Sequence, residues 1–313
     1  MAAVNEPTTA ELAGTLRRLH PGSRPVPAST HDVAAGLDGE CDSTEYTTAA
    51  IRQFFPHQHQ GGRKIVVILT TYLDESEPQP QRDVTVVAGW IADTPRWEAL
   101  ASLWQKSLDK WGLAFFHMAD FEGGYGPYAN WSDKQHRARL NHLLTIIKDH
   151  VVAGVSASIP RDVYETAIPD ELKAKVNPYH IAALACFIRV TGVLRNETPE
   201  GVLSAFVYEK RGKGVGPVLE AYQAIDNDPQ LKSALRAVSL SYQPKRKETP
   251  DTPAFLPLQA ADILAYETMK DMVNRRMGSP RQRRYPLAQL KATTDIRSAD
   301  WGVDELRILV PLL

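Results

Sequence analysis

Cysteine is nearly missing from this chain, with two residues, Cys41 and Cys186, in 313. They lie far apart and in unlike surroundings. That argues against a disulfide framework and against a thiolate zinc site, both of which need cysteines at characteristic spacings. Cys186 sits in the apolar run IAALACFI and reads as a small core residue. Long apolar runs are missing too: no stretch reaches the roughly 18 apolar residues of a membrane span. The opening MAAVNEPTTAELAGTLRRLH lacks the basic-then-apolar order of a secretory signal. A reducing, cytoplasmic setting with no membrane partner is the expectation. Nor is there an excess of charge, because 36 Lys and Arg stand against 37 Asp and Glu, for a net charge of -1. No global field draws the chain to nucleic acid, so any such contact falls to local basic patches. A GxSxG elbow, a P-loop and a dinucleotide fingerprint are all absent, which leaves serine hydrolases and the common nucleotide folds without support. No internal repeat is visible.

What is present is an ordinary globular composition, 43% hydrophobic and 23% charged, compatible with one large domain or two small ones. Residues 1–62 are rich in Pro, Gly, Thr, Ser and Ala and read as a largely flexible extension. From Lys64 the texture changes. KIVVILTTYLDES and DVTVVAGWIA read as two strands of a hairpin. A helix follows, capped by Thr94 with Pro95 at its first position. LAFFHMADF is a third strand or an extended loop, and Ser132 caps a second long helix. VVAGVSASIP, VLSAFVYE and LRAVSLSY are further strands, and Pro178 to Leu194, VGPVLEAYQAI and Pro257 to Val273 are helices. The alternation predicts a mixed α/β sheet flanked by helices. MGSPRQRRYP, basic and Pro-bearing, opens an exposed tail over 277–313.

Four places carry candidate chemistry. In YLDES an apolar strand ends in Asp74 and Glu75, whose side chains point to opposite faces unless the strand bends; a solvated strand end is the plainer reading of the pair. Asp262 interrupts the apolar helix LQAADILAYE, where an unpaired carboxylate is costly and calls for a partner or a metal. Gln259 lies three residues before it on the same face. Glu209 ends another apolar strand and is followed by the loop KRGKG, in which Lys210, Arg211 and Lys213 face either solvent or a phosphate backbone. In FFHMADFEGG, His117 and Asp120 sit among aromatics, either as hydrogen-bonded core groups or as site residues. Acids at two strand ends and on a late helix suit Mg²⁺ or Mn²⁺, which prefer hard oxygen ligands.

YLDES, the strand pair, FHMADFEGG, VYEKRGKG and LQAADILAYE, in that order over roughly Lys64 to Arg276, resemble the uncharacterised family catalogued as domain of unknown function 3800. The resemblance implies an RNase H-like domain, here 63–276, and a metal-dependent nuclease or phosphodiesterase. It puts Asp74, Glu209 and Asp262 forward as metal ligands for Mg²⁺ or Mn²⁺, with Glu75 as a further acidic candidate. His117 would orient water or substrate, Lys210, Arg211 and Lys213 would meet substrate, and Gln259 would position Asp262 or a phosphate. This chain departs from the family in having Glu77 and Pro78 after D-E-S, where a Gly is frequent. Two alternatives stay open: a non-catalytic module on the same fold that binds nucleic acid or protein, and a hydrolase of small nucleotides.

Overall fold

The computed structural model describes residues 68–76, 84–197, 202–210, 215–227, 229, 232–233, 236–243, 245, 255–278 and 284–309. The extension over 1–62 lies outside the described residues. Six strands form one sheet: β1 (Ile68–Ser76), β2 (Val84–Asp93), β3 (Ala153–Pro160), β4 (Leu203–Glu209), β5 (Ala237–Gln243) and β6 (Ile296–Asp300). Their order across the sheet is β5-β4-β1-β2-β3-β6. The pairs β1–β2 and β2–β3 are antiparallel, whereas β1–β4, β4–β5 and β3–β6 are parallel. This is the mixed α/β sheet flanked by helices that the alternation predicts.

Strand alternation divides the core in two. Leu73, Val87, Ile91, Val155 and Phe206 face one side, where α6 (Pro178–Glu197) and α7 (Val215–Asp226) pack. Cys186 of α6 is buried there, its Sγ donating to the Val87 carbonyl, and burial pushes the thiol pKa up. Tyr72, Val86, Ala88, Trp90 and Val207 face the other side, beneath α8 (Leu256–Arg276) with α1 (Thr94–Trp111) and α3 (Asp133–His150) beside it. Two buried indoles fasten this layer: Trp90 Nε1 donates to the Ala260 carbonyl and Trp97 Nε1 to that of Thr70, both at 3.0 Å.

Some local expectations shift. Asp93 rather than Thr94 caps α1, accepting from Arg96 N at 3.0 Å. Ser132 does cap α3, in a reciprocal capping box with Gln135. LAFFHMADF makes no strand; it runs as a loop into the short helix α2 (Met118–Gly123). After β3 come the short helices α4 (Arg161–Ala167) and α5 (Asp170–Lys173). The largest correction concerns the C-terminus. Residues 277–313 are not a mere tail, because α9 (Tyr285–Thr293), β6 and α10 (Val303–Leu309) extend the domain. Leu287, Leu290, Ala299, Trp301 and Leu306 are buried, and that apolar burial holds the segment to the core.

Gly89 sits mid-strand in β2 opposite Leu73, and a Cβ there would lie 1.8 Å from the Tyr72 carbonyl oxygen. That close approach lets β2 lie against the strand carrying Asp74. Gly89→Ala is expected to cost about 3 kcal/mol, seen as a lower urea midpoint; wild-type stability would contradict this account of the pairing.

Candidate functional site

Sheet topology assembles the site. The parallel register of β1 and β4 pairs Tyr72 with Val207 and Leu73 with Tyr208, so Asp74 and Glu209 come next, side by side at the strand ends. Glu209 is in turn opposite Gln243 of β5, and Lys245 follows two residues later. Asp262 enters from α8, which lies across β1 and β2. The three carboxylates meet on one cation. Lys245 Nζ is 2.7 Å from Asp74 Oδ2, 3.2 Å from Glu209 Oε2 and 3.3 Å from Asp262 Oδ1.

The cluster is nearly dry. The Asp74 side chain is fully buried, those of Asp262 and Lys245 are 7% and 11% exposed, and that of Glu209 is 18% exposed. Burial disfavours the Lys245 ammonium, but the charges of Asp262, Asp74 and Glu209 outweigh it and hold its pKa well above the ordinary lysine value. Burial drives Asp74 well above the ordinary aspartate value; Lys245 opposes this, while Glu209 and Asp262 add to it. Lys245 therefore stays cationic among the acids. The remaining contacts fix the acids in place: Glu75 N donates to Asp74 Oδ1 at 2.9 Å and Met118 N to Asp262 Oδ2 at 2.6 Å.

The other candidates sort by position. Glu75 is buried on the opposite face, where its Oε2 accepts from Tyr208 Oη at 2.7 Å; it does not join the cluster. Gln259 is completely buried and spent on structure. Its Oε1 accepts from Trp104 Nε1 (3.0 Å) and Phe116 N (2.9 Å), and its Nε2 donates to the Lys245 carbonyl (3.0 Å). These bonds tie Lys245 to the helix of Asp262. Lys210 is exposed just beyond Glu209; Arg211 and Lys213 lie outside the described residues.

His117 stands one residue before the amide that binds Asp262. Its Nδ1 is 2.9 Å from Asp120 Oδ2, and both side chains are partly exposed. The backbone there is well supported: His117 N donates to Tyr128 Oη at 3.3 Å, and Phe116, Phe121, Tyr128 and Trp131 stack in a chain of ring contacts. Burial pushes the Tyr128 phenol up to about 12, the hydrogen bond from His117 opposing and Asp120 and Asp262 adding to the rise. Tyr128 therefore stays a protonated hydrogen-bonding group, set close to both acids. Arg284 fastens this segment to α8, with its Nε 2.8 Å from the buried Glu267 and its Nη2 2.6 Å from Glu122 of α2.

The donor set is all carboxylate oxygen, which suits a hard divalent ion. Among the described residues no three acidic or histidine side chains form a ready metal cage, and the point where Asp74, Glu209 and Asp262 converge is held by the Lys245 ammonium. Lys245 was not legible in the sequence. Its one signal was its place just past the end of a strand that the sheet order sets beside Glu209.

No protein-family model matches the chain, so the family resemblance stands on its motifs alone. No curated protein matches it either. Two solved structures similar to it are Bst-RNase HIII in complex with Mn²⁺ and a single-residue variant of Bst-RNase HIII. The first has 13% identity and a TM-score of 0.34, covering 78% of this chain and 65% of that one. The second has 12% identity and a TM-score of 0.35, covering 86% of this chain and 77% of that one. Likenesses of this size carry no weight for activity. Among the described residues no helix is long and apolar enough to cross a membrane.

Because burial raises Asp74 above its ordinary value of 3.8, the unfolded chain gives up this proton first. The stability of the protonated form is complete below the unfolded value and is lost as pH rises through the folded one. Asp74→Asn cannot ionise and is spared that loss, so its unfolding free energy should gain on wild type as pH rises from about 3.8. Chemical denaturation across a pH series checks this; the opposite slope would mean that Lys245, not burial, governs Asp74.

Proposed function

We propose that this chain is a Mg²⁺- or Mn²⁺-dependent phosphodiester hydrolase, a nuclease, with Asp74, Glu209 and Asp262 as the metal ligands. One observation supports the reading above all: three carboxylates from three distant segments converge within 3.3 Å of a single cation. Bringing buried acids together is expensive without a positive charge at their centre, so the arrangement is one selected for holding cations. A divalent ion held there supplies positive charge against a phosphodiester in its transition state.

The chain's own groups do the rest. His117 Nδ1 stands 2.9 Å from Asp120 Oδ2, an orientation that leaves Nε2 to exchange a proton with water or substrate. The aromatic stack and Arg284 keep that segment rigid, so His117 is positioned before substrate arrives. Gln259 acts as a positioning residue behind Asp262 and Lys245. Lys210, exposed beyond Glu209, meets a phosphate of the backbone. Glu75 takes no part in the chemistry, since the sheet stands between it and α8.

The test is cleavage of single- and double-stranded DNA and RNA oligonucleotides, with free nucleotides alongside. Mn²⁺-dependent, chelator-sensitive cleavage is expected, with Asp262→Asn reducing it more than about 100-fold while the fold is kept. Turnover of free nucleotides alone would turn the reading to a small-molecule phosphoesterase. Salt-sensitive nucleic-acid binding without turnover would turn it to a non-catalytic module. A second measurement concerns His117→Gln, for which kcat should fall about 100-fold with KM little changed. An unchanged kcat would remove His117 from the chemistry.

A further inference from the structure

Lys245 holds the position that a metal ligated by Asp74, Glu209 and Asp262 would need. Its Nζ lies 2.7 to 3.3 Å from one oxygen of each acid, whereas Mg²⁺ ligates oxygen at about 2.1 Å. An ion ligating all three oxygens would share its ligands with the ammonium, and two positive charges held so close repel each other.

The attachment of Lys245 shows which part of it can move. Its carbonyl is held by Gln259 Nε2 at 3.0 Å, and Gln259 is itself locked by Trp104 and Phe116. The backbone is therefore pinned to α8, while the side chain is a flexible four-carbon stem ending in a compact charge. Arginine would serve poorly here, because its planar fork fits two oxygens of one carboxylate better than single oxygens of three.

We infer that Lys245 is the resident counter-cation of this site and is exchanged for a divalent ion: the ammonium keeps the three carboxylates assembled without metal, and swings out of the cluster when metal enters. The inference rests on the reading of the carboxylates as a metal site. It goes beyond that reading in making metal affinity a competition. The metal-competent form, with the lysine out, is the minor one, and apparent affinity is reduced by its small population. Removing the ammonium removes that penalty.

The experiment has two arms. The first is calorimetric titration of Mn²⁺ into wild type and Lys245→Gln, with thermal melts of both. The variant should bind Mn²⁺ about tenfold tighter or more, and melt lower than wild type without metal but recover with it. The second arm uses wild type only, so it stands even if the variant does not fold. Acylation of lysine amines, mapped by mass spectrometry, should find Lys245 protected without Mn²⁺ and reactive with it. If wild type binds Mn²⁺ while Lys245 stays protected, or the variant binds no more tightly, exchange is wrong and the metal site survives. If neither protein binds Mn²⁺, both readings fall.

Discussion

One buried ammonium holds the centre of this molecule together. Asp74, Glu209 and Asp262 come from two strands and a helix, and Lys245 from just beyond a third strand; their charged groups meet at this point. Carboxylates so close repel each other and lose their hydration. Leaving such buried charges without their partner costs roughly 3–5 kcal/mol in comparable pairs. The fold accepts that cost at the end of the sheet where β1, β4 and β5 terminate in parallel. On the opposite face Glu75 accepts from the Tyr208 hydroxyl.

Much of the framework was legible because apolar patterning is strong. The runs ILTTYLDES, VTVVAGWIAD and LSAFVYE became β1, β2 and β4, and their terminal acids fall where the alternation of faces puts them. That alternation also separated Asp74 from Glu75. Asp262 stood out because it interrupts an apolar helix. What patterning cannot encode is partnership across the chain. Lys245 bonds to residues 171 and 17 positions away, from a polar, proline-bearing segment with no period of its own. The sixth strand was missed for a related reason: IRSAD is five residues long with two of them buried, and pairing with β3 rather than its own composition makes it a strand.

The support around the cluster is as specific as the cluster itself. Gln259 joins Trp104, Phe116 and the Lys245 backbone, so one buried amide coordinates α1, the loop before α2 and the segment after β5. Arg284, from the C-terminal region, bridges Glu267 and Glu122 and so links α8 to α2. Both braces act on elements that carry Asp262 or His117. Precise placement of reacting groups depends on such second contacts, and here they draw on parts of the chain more than 140 residues apart.

The measurement that bears most directly on this account is anomalous diffraction from crystals of the wild-type protein equilibrated with Mn²⁺. The account predicts a peak ligated by Asp74, Glu209 and Asp262 at about 2.1 to 2.2 Å, with the Lys245 side chain turned out of the cluster. An ammonium still seated among the three carboxylates, with Mn²⁺ bound elsewhere or not at all, would contradict it.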